Sequence, residues 1–213
     1  MDTDGRIQRA GLLYQRAIFN GDQNALTDAD RELDAVEADL ALARGRVLHG
    51  RFLEERRENP HELPLFERAA DLYRTLGDKR GEGEALFWIA CFHQLVRGDD
   101  ATAGPLFERA DEIATQAADD DTRSEVLRHQ GIAAHKAGHL DKARDHLEES
   151  TRLRRESGHL PGVAANQVGL IYIAIAQGRH EDARTLADEA RTIAHTTDST
   201  RLLHQIEEAT TNL

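Results

Sequence analysis

The sequence is poor in the residues that interrupt helices or cross-link chains. It contains four prolines and one cysteine, Cys91, among 213 residues. A single cysteine cannot form an intramolecular disulfide, which favours a reducing compartment. β-branched residues form no alternating run, so the sequence predicts no β-strand. Since aromatic residues make up only 5% of the chain, a core of small and aliphatic side chains is expected.

Long apolar runs and excess positive charge are also missing. The opening stretch MDTDGRIQRAG lacks the apolar core of a signal peptide, and no later run is long enough to span a bilayer. We therefore expect a cytoplasmic protein. The net charge of -12 opposes binding to nucleic acid and to anionic membrane surfaces. Charged residues account for 31% of the chain, and the abundance of Glu, Ala, Leu and Arg is typical of packed amphipathic helices.

An internal repeat runs along the chain. The stretches RGDDATAGPLFERADEIA, AGHLDKARDHLEESTRLR and QGRHEDARTLADEARTIA share a glycine at their second position, and these glycines recur every 40 residues. Small or apolar residues follow at fixed offsets: Ala103, Ala143 and Ala183; Phe107, Leu147 and Ala187; Ala110, Ser150 and Ala190. Weaker copies place Gly21 and Arg57 in the glycine position. A near-constant step over the whole chain indicates a solenoid of repeated units.

Each unit is predicted to be a pair of antiparallel helices within one domain covering 1–213. The expected pairs are 4–19 with 23–37, 39–57 with 61–76, 83–97 with 103–118, 123–137 with 140–156, and 162–177 with 180–195. Pro64 and Pro105 predict a late start of the second helix in their units, because proline is tolerated in a first helical turn. Residues 198–211 carry Leu202, Leu203 and Ile206 on one face and are predicted to form a capping helix.

These patterns resemble the tetratricopeptide repeat family. The match is carried by Gly131, Gly138, Ala143 and Leu147, although Ala134 stands where the family has an aromatic residue. The resemblance implies an all-α, right-handed α-solenoid of about five helical hairpins, of a bacterial long-period type found in regulatory and signalling proteins. It also implies a binding scaffold whose concave face is formed by the first helix of each unit. The family serves many partners, so the motifs specify a fold rather than a ligand.

The first helices of the third and fifth units appear longer than that of the fourth. Ala85 precedes Gly98 by 13 residues and Ala164 precedes Gly178 by 14, whereas Val126 precedes Gly138 by 12. One extra residue can be absorbed by a π-bulge, and such bulges concentrate at functional sites. The alternative is a helix that begins earlier, with the slack taken up by a loop. We expect one extra residue in the third unit and two in the fifth, and we expect them to shape the inner surface.

The candidate ligand groove combines apolar and basic side chains from these first helices. The predicted lining residues are Trp88, Phe92, His93, Arg128, Ile132, His135, Tyr172 and Ile175. Two apolar walls and a basic floor suit a peptide, a protein partner or a small amphiphile with a negative end. The competing interpretation is that most of these apolar residues are core. A homodimer is left open.

The sequence carries little sign of catalysis. An alternative function is an enzyme in which His93 acts as acid or base, with Glu84 on the same helix. His135 and His139 have the spacing of two metal ligands on a helix, but Gly138 lies between them at a predicted helix end. We therefore predict no metal and no cofactor. A binding and regulatory role is favoured over catalysis.

Overall fold

The computed structural model describes residues 4–211, which are helical over 85% of their length and contain no strand. The helices in chain order are α1 Gly5–Asn20, α2 Ala25–Glu55, α3 Glu62–Leu76, α4 Lys79–Cys91, a π-helical segment Phe92–Val96, α5 Asp100–Gln116, α6 Asp120–Lys136, α7 Leu140–Glu156, α8 Leu160–Ala176, α9 His180–Thr196 and α10 Thr200–Thr210. Two compact units divide the chain inside α5, the first ending at Arg109 and the second beginning at Ala110. The all-α class is confirmed. None of the helices in this part of the chain combines the length and apolar character needed to cross a bilayer.

In the first unit each of the helices α1 to α4 packs against the next one along the chain. The core lies between α2, α3 and α4, with Phe66 fully buried among alanines such as Ala38 and Ala69. The first part of α5 joins this unit through Phe107, whose ring lies 6.1 Å from that of Phe87.

In the second unit α6 to α10 follow the same sequential packing, and α8 also contacts α6 and α10. One buried cluster lies between α8, α9 and α10 around Ile171 and Ile206, and a second surrounds Leu147. The apolar face of α10, with Leu202 and Leu203, packs against the first of these clusters. The predicted helix near the C-terminus is therefore present.

A regular turn connects the helices from α5 onward. Left-handed residues recur every 20 positions at Gly98, Ala118, Gly138, Gly158, Gly178 and Asp198. The residue after each one donates its N–H to a carbonyl five residues back, as in the bond of 2.9 Å from His139 to Ala134, which is the pattern of a Schellman motif. Since α5 to α9 each contain 17 residues, the 40-residue step in the sequence equals two helices with their turns.

The repeat positions recognised in the sequence are buried. The nine residues at the three offsets after each glycine are all at most 2% exposed: Ala103, Ala143, Ala183, Phe107, Leu147, Ala187, Ala110, Ser150 and Ala190. Ala143 lies where α6 meets α7, because a Cβ placed on Gly131 would be 3.3 Å from the Ala143 carbonyl oxygen. The helix pairing within these units is therefore the predicted one.

The predicted break between 23–37 and 39–57 is wrong. α2 is one helix of 31 residues. It contains no proline, and its glycines do not end it. Gly45 instead allows close packing, since a Cβ there would lie 2.4 Å from the ring of Phe66. The sequence interpretation imposed a hairpin at this point to maintain the repeat.

Three other predicted helix starts need correction. α4 begins at Lys79 rather than 83, because Asp78 caps it by accepting a hydrogen bond from the N–H of Gly81. α5 begins at Asp100 rather than 103, so Pro105 lies inside the helix. Pro64, by contrast, is the third residue of α3, within the first turn that proline tolerates.

The extra residue of the third unit is present as predicted. α4 and the π-helical segment together run from Lys79 to Val96, one residue more than α6. The wider turn absorbs that residue, so the helix continues to Gly98 without a break.

The predicted pair of extra residues in the fifth unit is wrong. α8 contains 17 residues, the same number as α6. The sequence comparison equated Gly169 with Gly131, but the step of 40 residues places Ile171 in the position of Gly131. The two glycines face Leu147 from different helices: a Cβ on Gly131 would lie 3.0 Å from its side chain, and one on Gly169 would lie 2.8 Å from it. They look alike in the sequence because both permit a close approach to the same residue.

Candidate functional site

A pocket of about 310 Å³ lies in the second unit, lined by residues of α6, α7, α8 and α10. Its lining residues are Arg128, Gly131, Ile132, His135, Lys136, Leu147, Ala165, Val168, Gly169, Tyr172, Ile173, Gln205 and Glu208. This volume is at the lower end of the range for small-molecule sites. The pocket therefore fits a small ligand, or the end of a longer one.

Small residues on two helices create the space for this pocket. α6 contributes Gly131 and α8 contributes Gly169, and both lie against the side chain of Leu147 on α7. Neither position accepts a Cβ without movement of Leu147, which is 2% exposed and held in the core. The pocket is thus bounded on the α7 side by a fixed apolar side chain.

Arg128 provides a cation anchored at one end of the pocket. Its Nη1 donates to the carbonyl oxygen of Ala165 at 2.8 Å and to Oδ1 of Asn166 at 3.0 Å, which links α6 to α8. Burial, with a smaller contribution from nearby Arg154, lowers the pKa of Arg128 to about 10, so its charge remains at neutral pH. A cation with reduced hydration interacts more strongly with an anion than one in open solvent.

The acceptor of the Arg128 bond belongs to a buried polar network. Asn166 donates through Nδ2 to Oγ of Ser150 at 2.8 Å, and Ser150 donates to the carbonyl oxygen of Ser124 at 2.6 Å. These bonds connect α8 to α7 and α7 to α6. Because buried hydrogen-bonded networks resist rearrangement, Arg128 is held in place by contacts behind the pocket wall.

Additional charges surround the pocket. His135 and Lys136 follow Arg128 by about two turns of α6, and α10 contributes Gln205 and Glu208. The permanent charges of the lining are therefore two cations and one carboxylate. The local charge is positive in a chain whose net charge is -12.

The opposite wall is apolar. α8 presents Val168, Tyr172 and Ile173, and α6 adds Ile132. Tyr172 is 41% exposed, so a ligand can cover it without any change in the core. A basic end and an apolar wall in one small pocket match an anion attached to an apolar chain.

The structure brings together four of the eight predicted site residues. Arg128, Ile132, His135 and Tyr172 line the pocket. Ile175 is partly buried and packs against the core cluster shared by α8, α9 and α10. Its assignment to a ligand site stays a prediction.

The other three predicted residues lie in the first unit. Trp88 is partly buried, stacks on Phe66 with ring centroids 5.7 Å apart, and has the guanidinium of Arg46 5.5 Å from its ring. Phe92 is 1% exposed and contacts the ring of His93. A ligand would reach Phe92 only if the packing around it opened. The groove role of these three residues stays a prediction.

The acid–base pair considered for catalysis is not assembled as expected. Glu84 forms an ion pair with Arg46 of α2 at 3.1 Å. Nine residues separate Glu84 from His93, which corresponds to about 13 Å along a helix axis. The two side chains are therefore too far apart along the helix for direct proton transfer.

Several pocket residues were not identified from the sequence. Val168, Gln205 and Glu208 line the pocket, but Val168 resembles a core residue, and the polar residues of α10 resemble the solvent face of a capping helix. A stronger signal was available in Gly131 and Gly169, since paired glycines within helices indicate close packing or a cavity.

A larger depression of about 700 Å³ lies in the first unit between α1 and α2, near Leu76. Its lining includes Arg9, Arg16 and Leu12, the last of which is 61% exposed. Arg9 and Arg16 are already ion-paired with Glu32 and Asp22, respectively. This surface is wide and offers less enclosure than the pocket in the second unit, so we do not assign the ligand to it.

Metal-binding geometry is not found among residues 4–211, where no group of three or more His, Cys, Asp or Glu side chains is placed to hold an ion. α6 ends at Lys136 and α7 begins at Leu140, so His135 and His139 do not share a helix. No family model matches the sequence, and no curated protein matches it either.

Proposed function

We propose that the second unit is a binding module for the anionic end of an apolar ligand. The ligand class is a carboxylate attached to an aliphatic chain, either a free acyl chain or the C-terminus of an apolar peptide. The observation that carries this proposal is the combination of anchored Arg128, with Lys136 beside it, and an apolar wall formed by Val168 and Tyr172 in one pocket.

The physical argument depends on charge and enclosure together. A carboxylate gains most from a guanidinium that is already oriented, because little side-chain entropy is then lost on binding. The aliphatic part gains by covering apolar surface, at roughly 25 cal/mol per Å² before the costs of association. A neutral or cationic ligand with the same chain loses the first contribution.

A regulatory role in the cytoplasm belongs to the same proposal. The tetratricopeptide resemblance supports binding rather than chemistry as the activity, and the single cysteine, which is buried, suits a reducing compartment. The ligand or peptide partner would then act by occupying the pocket.

Isothermal titration calorimetry with matched probes tests this function. Octanoate is compared with octylammonium, and acetyl-Ala-Ile-Leu is compared with its C-terminal amide. We expect one-to-one binding of at least one carboxylate probe and none of its charge-altered match. Whether octanoate or the peptide binds distinguishes the two sources of the carboxylate. Equal binding of matched probes, or no binding of either carboxylate, would contradict the proposal.

Variants locate the binding energy. Lys136→Gln removes one cation from an exposed position and should weaken carboxylate binding about five- to tenfold. The control is Lys142→Gln, because Lys142 is an exposed lysine of α7 outside the pocket lining. It should change the affinity by less than about twofold, the size expected of a distant screened charge.

A further inference from the structure

The first unit exposes an unusual amount of apolar surface. Among residues 4–211, nine of the eleven exposed large hydrophobic side chains lie between positions 7 and 47, on α1 and α2. Those of α2 are Leu26, Leu33, Leu40 and Val47, which are 49%, 45%, 48% and 58% exposed. An exposed apolar patch of this kind marks an interaction surface.

The four side chains on α2 follow one another at intervals of seven residues. This heptad spacing keeps them along one side of an α-helix and is the pattern of a coiled-coil seam. Smaller residues occupy the second seam position of each heptad, and these are Ala29, Val36, Ala43 and Gly50. Ala43 and Gly50 are exposed, and a Cβ at Gly50 would meet no atom within 4 Å. Ala29 is already buried within the unit, so the free seam starts at Leu26 and Leu33.

Charge along the edge of this seam specifies both partner and direction. Asp30, Glu37, Arg44 and Arg51 also recur every seven residues, with the two acids first and the two arginines last. The other edge repeats this order with Glu32, Asp39 and Arg46. A second α2 running parallel would place like charges side by side. A second α2 running antiparallel would place Asp30 near Arg51 and Glu37 near Arg44 of the other copy.

Side-chain size gives the same direction. In an antiparallel pair the first heptad of one helix lies beside the last heptad of the other. Leu26 then faces Gly50, Leu33 faces Ala43, and Leu40 faces Val36. Each of the three leucines is therefore opposite a smaller side chain, which suits the interdigitation of a packed seam.

Ion pairs within the unit do not remove this complementarity. Glu37 pairs with Arg68 at 2.8 Å and Arg46 pairs with Glu84 at 3.1 Å, yet the side chains of Glu37 and Arg46 remain 51% and 54% exposed. Exposed pairs of this kind contribute little to stability and can exchange partners.

We propose that α2 is the dimerisation helix of this protein and that it pairs with α2 of a second copy in an antiparallel coiled coil. The leucines of the seam and the division of charge between the two halves of one helix together select the same chain as the partner. The proposal is independent of the pocket in the second unit.

Charge reversal on the full chain tests it. Variant A carries Asp30→Arg and Glu37→Arg, and variant B carries Arg44→Glu and Arg51→Glu. Sedimentation equilibrium of the wild type should give twice the chain mass of 23.8 kDa. Each variant alone should be monomeric because its whole edge has one sign, and an equimolar mixture should recover the dimer. Circular dichroism verifies that each variant is folded.

Direction is tested by cysteine cross-linking. Leu26→Cys and Gly50→Cys should form a disulfide only when the two variants are mixed. Leu40→Lys should give a monomer, whereas Leu160→Lys, at an exposed leucine on α8, should leave the dimer intact. A wild type that is monomeric at about 50 µM, in the range where weak complexes still associate, would overturn the proposal. A dimer that persists in both charge variants, or self-cross-linking of Gly50→Cys alone, would also overturn it.

Discussion

Ala118 occupies the left-handed position of the turn between α5 and α6, with φ of 50°. Four of the six equivalent positions are glycine, and alanine pays a steric penalty for this conformation that glycine avoids. Ala118 is exposed, so its methyl group contributes little packing. Ala118→Gly should therefore raise the free energy of unfolding by about 0.5–1 kcal/mol, measured by urea denaturation.

The reciprocal change is the matched control. Gly158 has φ of 74° in the turn between α7 and α8, is exposed, and leaves open space where a Cβ would lie. Gly158→Ala should lower the free energy of unfolding by about 1 kcal/mol through the backbone alone. A loss of stability in Ala118→Gly would show that the turn is not strained there.

At the scale of a single helix, α5 contains a proline where the sequence predicted a helix start. Asp99 caps the helix by accepting from the N–H of Thr102 at 3.0 Å, so Pro105 lies in the second turn and cannot donate to the carbonyl of Ala101. Pro105→Ala restores that hydrogen bond. We expect a gain of about 2 kcal/mol, reduced from the full cost of an internal proline by the greater freedom of the unfolded chain.

Pro64 provides the comparison for this change. It is the third residue of α3, where the N–H would have no intrahelical acceptor in any case. Pro64→Ala should therefore leave the thermal unfolding midpoint nearly unchanged. Equal shifts for the two variants would contradict the assignment of Pro105 to the helix interior.

The helices also show what a sequence can and cannot predict. The fixed offsets after Gly98, Gly138 and Gly178 located the buried faces, because repeated packing demands repeated small residues. The one extra residue of the third unit was found by counting, and the π-helical segment absorbs it. The long α2 was missed because nothing local distinguishes a continuous helix from two that meet at Ala38. The supposed insertion in α8 arose because Gly131 and Gly169 serve the same neighbour from opposite sides.

Half of the candidate site was likewise predictable. Arg128 and Tyr172 were identified because charge and exposed aromatic character on a first helix are visible in the sequence. Gln205 and Glu208 were not, since only the packing of α10 brings them to the pocket. Trp88 looked suited to a ligand because it is the chain's only tryptophan, but its ring stacks on Phe66.

At the scale of the whole molecule, the two units have different surfaces. The first presents exposed leucines with a divided charge pattern on α2, which fits a second copy of the chain. The second holds a small enclosed pocket whose permanent cations outnumber its carboxylates. In a chain with a net charge of -12, an anionic ligand is repelled at long range, so binding should become tighter as salt screens that repulsion, unless the local cations dominate.

The most direct test of the binding proposal is where a bound carboxylate lies. Isotope-filtered nuclear Overhauser measurements with octanoate and methyl-labelled protein should give contacts from the octanoate chain to Ile132, Val168 and Ile173, and these contacts should be lost with octylammonium. Contacts to Leu12 and Leu13 of the open depression in the first unit, without contacts to the three pocket residues, would contradict the account.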